Sequence, residues 1–126
     1  MIARLMLAFV GCMPWAFAYA NEWRREDTVR EIAWHTANIV DYGTTMDLAR
    51  KNEDAGFMQF EEQNPVIGGD PSPRRVLNTF VIGAIAHTAT SYLLPHGWRE
   101  SWQYLSLATS IGCAQNNISI GLRVNF

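Results

Sequence analysis

Nineteen consecutive residues, Val76–Leu94 (VLNTFVIGAIAHTATSYLL), carry no charge when His87 is neutral. As a helix such a run reaches about 30 Å, the thickness of bilayer hydrocarbon. Arg74 and Arg75 stand before it, and Pro95, His96, Trp98 and Arg99 follow. The run is polar for a lone span, since it holds Asn78, Thr79, His87, Thr88, Thr90 and Ser91. Polar groups in lipid must find partners inside protein, so the predicted helix packs against others. Gly83, His87 and Ser91 recur at i, i+4 and i+8. They form the predicted helix-packing stripe, on which a second copy or an envelope partner can approach closely. A buried helix of a soluble bundle is the competing reading of the same run.

Met1–Ala20 has the layout of a secretory signal: Arg4 as its only charge, the apolar run Leu5–Gly11, and Ala18 and Ala20 at the small-residue positions of a cleavage site. Three fates compete. Cleavage after Ala20 leaves Asn21–Phe126. Retention makes the segment an anchor, barely long enough to span and interrupted by Pro14. Lipidation at Cys12 rests on Phe9-Val10-Gly11, a loose lipobox.

A chain of 126 residues is one domain at most. Its net charge of −2 offers no basic surface for nucleic acid. Of its two cysteines, Cys12 lies in the leader and Cys113 in an apolar run, so a cleaved chain forms no internal disulfide. Five tryptophans stand mostly near the ends of apolar runs, where membrane-boundary aromatics collect; ordinary core packing is the alternative.

Asn21–Lys51 reads as one helix, free of proline, with Asn21 as cap and Arg50 and Lys51 at the C-terminal end. Val29, Ile32, Ala33, Thr36, Ile39, Val40, Gly43 and Met46 share one face. His35, Asn38, Asp41, Tyr42 and Thr45 share the opposite one, which reads as a solvated face unless the helix lies in lipid. Residues 52–75 form a Gly- and Pro-rich break, with Asp70-Pro71-Ser72-Pro73 as a turn that caps the next helix. Residues 98–126 are a third helix or a tail. Ile118–Phe126 alternates apolar and polar residues like the last strand of an outer-membrane barrel, but a barrel needs at least eight such segments and this is one.

Two constellations could carry chemistry. The arc His35, Asn38, Asp41, Thr45 holds an acid and an imidazole that are functional candidates if lipid surrounds them. The break contributes Glu62 and Asn64, with Glu62 expected to turn toward the bundle and meet His87 or His35. A carboxylate–imidazole pair of this kind holds a metal or relays a proton. The tight spacing of a metal site is absent, so no metal and no cofactor is expected. No nucleophile elbow, phosphate loop or dinucleotide fingerprint occurs, so no catalytic residue is assigned.

Asp41-x-x-Thr44-Thr45, then Glu62-x-Asn64-Pro65, then Gly68 or Gly69 with Pro71-Ser72 and a polar-apolar helix bearing His87 resemble small uncharacterised membrane proteins of bacteria and their phages. Those have an Asp-x-x-x-Thr helix, a Glu-x-Asn-Pro loop and following spans. The resemblance covers residues 29–95. This chain departs from it by its polar first helix and its cleavable leader. The resemblance implies membrane topology, and a phage origin would admit roles in host lysis or exclusion.

The expectation is therefore an all-α small membrane protein: a leader or anchor (1–20) and one helical domain (21–126). Its partners are the lipid bilayer and a second copy or another envelope protein, with no nucleic acid. Its place is the bacterial inner membrane, the alternatives being periplasm and outer membrane. Its role is structural or accessory rather than enzymatic. The alternatives are an intramembrane metal- or proton-handling site on Asp41, Glu62 and His87, and a soluble periplasmic helical module.

Overall fold

The computed structural model describes residues 22–126, so every fate weighed for Met1–Ala20 lies outside the described residues. Three helices follow in order: α1 (Arg25–Ala55), α2 (Pro73–Leu93) and α3 (His96–Ser119). The described chain is all-α, a three-helix bundle.

The helix boundaries have local causes. α1 starts four residues later than the sequence pattern suggested, because Asp27 accepts the Arg24 backbone N–H at 2.9 Å and so fixes the first turn. It runs four residues past Lys51 because Asn52 holds the returning chain. The Asn52 amide donates to the Phe60 carbonyl and the Asp70 carboxylate, and its oxygen accepts from the Gln59 and Phe60 N–H groups. Gly56, at φ 72°, then closes the helix in the left-handed conformation that glycine adopts without strain.

α2 begins at Pro73, three residues before the expected Val76, with Ser72 accepting from the Arg75 N–H. Pro95 stops it. The third helix is real and starts at His96, but it ends at Ser119. The alternating tail is not a strand. Gly121 (φ 92°) turns the chain, Leu122 is buried, and the Asn125 N–H donates to the Gly43 carbonyl.

Residue pairings give the directions. Glu31 meets His87 and Thr88, and Tyr42 meets Phe80, so α2 runs antiparallel to α1. Asp27 meets Arg99 while Asp41 meets Asn117, so α3 runs parallel to α1. α1 packs most extensively on α3, less on α2, and α2 and α3 barely touch. The apolar core is small: Met46, Ala49, Ile67 and Val76, flanked by Tyr42 and Phe80.

The distribution of polarity is inverted over much of the bundle. Asp27, Arg30, Glu31, Asp41, Thr44, Thr45, His87, Ser91, Arg99, Gln103 and Asn117 are buried. Val29, Ile32, Ile39, Val81, Ile82, Ile85, Leu93, Leu105 and Ile111 are exposed. The expectation of a solvated polar face on α1 therefore fails for Asp41 and Thr45, which point inward. Of the face assigned as apolar, Val29, Ile32, Thr36 and Ile39 point outward, and only Gly43 and Met46 are buried.

Candidate functional site

Polar side chains gather in three layers along α1. At its N-terminal end, the fully buried Arg99 donates to Asp27 Oδ2 at 2.9 Å and to the carbonyls of Ser91, Glu22 and Leu94. Arg30 donates to the other Asp27 oxygen and, through Nε, to Gln103. Burial alone would raise the Asp27 pKa. The Arg24 backbone N–H and the Arg99 and Arg30 guanidinium groups outweigh it and hold the carboxyl below its ordinary range.

The middle layer centres on His87. Its ring lies flat on Trp34, with centroids 3.5 Å apart and planes 6° from parallel. His87 Nδ1 is 3.1 Å from Glu31 Oε1, and His87 Nε2 is 2.7 Å from Ser106 Oγ. Glu31 also accepts from Thr88 (3.0 Å) and Gln103 (2.9 Å). Burial again opposes its ionisation, but the Gln103 bond, His87 and the neighbouring hydroxyls bring its pKa below the ordinary value. His35 sits at the edge of this layer, half-buried, 3.0 Å from Thr88 Oγ1. His87 thus pairs with Glu31 and not with Glu62.

The third layer is Asp41. The Asn117 amide lies within 3.3 Å of Asp41 Oδ1 and also reaches the Thr44 and Thr45 hydroxyls. Among the described residues Asp41 has no cationic partner within salt-bridge distance. Burial, reinforced by the charge of Glu62 and only partly offset by Thr45, pushes its pKa up to about 7. Burial and the same two carboxylates also push the Cys113 thiol up. Glu62 reaches this layer from the loop. Its Oε1 accepts the Asn64 N–H at 2.8 Å, while its Oε2 is buried without a partner. Asn64 turns the loop by accepting the Val66 N–H and, through its carbonyl, those of Ile67 and Gly68.

Because α2 and α3 diverge, two cavities open between them. One, of about 410 Å³, is lined by Asn38, Asp41, Asn64, Thr79, Phe80 and Cys113 among others. The second, of about 420 Å³, is lined by His87, Thr90, Trp102, Leu105 and Ser106 among others. Trp34, Gly83, Thr109 and Ser110 wall both, so the two are neighbouring halves of one cleft.

The candidate residues chosen from sequence thus converge in part. Asn38, Asp41 and Asn64 line one half of the cleft, Glu62 acts on it by charge, and Thr45 lies behind Asp41. Of the packing stripe, His87 and Ser91 are buried within the bundle. Gly83 is exposed at the cleft, with nothing within 4 Å of the position a Cβ would take. Glu31, Gln103 and Ser106 were missed. Glu31 could have been found: it lies four residues before His35 and seven before Asn38, on the same helical arc.

The raised Asp41 pKa makes a pH prediction. A carboxyl that holds its proton more tightly folded than unfolded favours the fold below about pH 4, and that advantage is lost as pH rises toward 7. Asp41→Asn should therefore be more stable than wild type at pH 8, by roughly 4 kcal/mol, and nearly equal to it at pH 4. Thermal melts at the two pH values check this.

Comparison with protein families, with curated proteins and with solved structures finds no match for the chain.

Proposed function

We propose that this chain is a small membrane-spanning protein of the bacterial envelope, with α2 as the span and a structural or accessory role exercised through the bundle. The observation that carries the reading is the orientation of α2. It buries Val76, His87 and Ser91, and it exposes Leu77, Val81, Ile82, Ile85, Tyr92 and Leu93. A core helix of a soluble bundle turns its aliphatic side inward. A helix in lipid keeps its polar groups against protein and its aliphatic side outward. Its 21 residues suffice to cross, and among the described residues no other helix is long and apolar enough. α1 and α3 supply the polar partners: Glu31 and Ser106 for His87, and Arg99 for the Ser91 carbonyl. Trp98, in the first turn of α3 just after α2 ends, is exposed, and Trp23 stacks on Tyr92 near the end of α2 at 4.2 Å, the kind of aromatic grouping that favours a membrane boundary. The layout of Met1–Ala20 supports delivery to the envelope.

The test is alkaline carbonate washing of membranes from cells making the full chain. Retention in the pellet, with release only by detergent, supports the reading. Release by carbonate contradicts it and favours a soluble periplasmic module.

A further inference from the structure

We propose that Ser106, His87 and Glu31 form a nucleophile, base and orienting acid that cleave an acyl ester held in the cleft between α2 and α3. The three come from three different helices and no sequence spacing announces them, yet they form one hydrogen-bonded relay: Glu31 Oε1 to His87 Nδ1 at 3.1 Å, and His87 Nε2 to Ser106 Oγ at 2.7 Å. Trp34 holds the ring against rotation. A carboxylate accepting at Nδ1 places the imidazole proton there and leaves the Nε2 lone pair facing the serine hydroxyl. Glu31 is fixed in turn by Thr88 and Gln103. Its pKa, held below the ordinary value, keeps it in the ionised form this role needs.

A purely architectural network would be closed off, but this one ends at a cavity. Ser106 and His87 stand on its wall beside Trp102, Leu105 and Thr90. The wall is mostly apolar, which suits an acyl chain and rejects a highly charged substrate. The Ser106 hydroxyl also lies 2.8 Å from the Trp102 carbonyl and 3.1 Å from the Gln103 carbonyl, so its proton has three acceptors at rest. The Trp102 indole N–H, one turn before Ser106, is buried without a partner among the described residues. It is the donor we assign to the carbonyl oxygen as that oxygen gains charge.

The reaction balances with water as the only co-reactant. Ser106 Oγ bonds to the ester carbonyl carbon as its proton passes to His87 Nε2. Collapse breaks the carbon–oxygen bond to the alcohol, which leaves with that proton. Water then attacks the acyl-serine and gives a proton to His87. Ser106 Oγ leaves, recovers that proton, and an acid is released.

The experiment treats the purified full chain in detergent with an alkyl fluorophosphonate and maps the adduct by mass spectrometry, alongside hydrolysis of a nitrophenyl ester of a medium-chain acid. The expected result is one adduct, on Ser106, absent from Ser106→Ala. Labelling and hydrolysis should fall on the order of 100-fold or more in His87→Gln. Ser106→Ala should keep its helical spectrum and still unfold cooperatively, at a somewhat lower temperature, because alanine is the better helix former and the loss is the hydrogen bond to His87. A folded wild type that takes no label, or label and hydrolysis that persist in Ser106→Ala, overturns the proposal. The chemistry does not rest on α2 lying in lipid, so carbonate washing and active-site labelling fail independently.

Discussion

Arg99→Ala should yield almost no folded protein. Arg99 is wholly buried and joins three parts of the chain: Asp27 on α1, the Ser91 and Leu94 carbonyls at the end of α2, and Glu22 before the bundle. Removing one partner of a buried pair leaves the other charge desolvated, which costs about 3–5 kcal/mol. That is a large part of the 5–15 kcal/mol by which a typical domain is stable. Arg99→Lys should recover only part of the loss, since an ammonium cannot present the fork that reaches a carboxylate and several carbonyls together. Thermal unfolding followed by circular dichroism in detergent gives the order wild type, Lys, Ala. The same pair sets the acid limit. The Asp27 pKa is lowered on folding, so its contribution is present above about pH 4 and disappears as pH falls through the folded value. Asp27 and Asp41 thus act on stability with opposite signs, one failing in acid and the other opposing the fold toward neutrality.

Ile85→Arg separates water from lipid around α2. Ile85 is 66 % exposed, and a surface substitution in water changes stability by no more than about 0.5 kcal/mol. An arginine near the middle of a span costs about 2.5–3.5 kcal/mol on insertion scales, enough to shift membrane integration on the order of 100-fold. The variant should therefore be lost from the membrane fraction. Asn78→Arg should be retained, because that position is also exposed but lies near Arg74 and Arg75 at the helix start. Equal recovery of both variants from membranes would contradict the account.

The helices and their breaks were legible because proline, glycine and serine punctuate locally. Ser72-Pro73 starts α2, Pro95 ends it, and the Gly/Pro-rich stretch keeps α1 and α2 apart. The arc His35, Asn38, Asp41, Thr45 was legible as a unit, but not the side on which it lies. A helical period reports which residues share a face and not what that face meets. What reverses the polarity is α3. Arg99, Gln103, Ser106, Ser110 and Asn117 recur at helical spacing and form a polar stripe that meets the arc. The central contacts join residues far apart in the chain: Asp27 with Arg99, Glu31 with His87, and Asp41 with Asn117. No local pattern specifies such pairs. The alternating tail, which alone could not make a barrel, has a local cause for its pattern. Leu122 packs inward while its neighbours stay outside, so it mimics a strand's period without forming one.

The most direct measurement of what surrounds α2 is thiol accessibility in sealed vesicles. Ile85→Cys, in a chain carrying Cys12→Ser and Cys113→Ser, is treated with a membrane-impermeant maleimide, before and after detergent with denaturant. With lipid around α2, no reaction occurs until the bilayer is dissolved and the chain unfolded, beside ready reaction of a cysteine at the exposed Glu53 in permeabilised vesicles. Prompt labelling at position 85 in those same vesicles would show water, not lipid, against α2 and contradict a membrane-spanning helix.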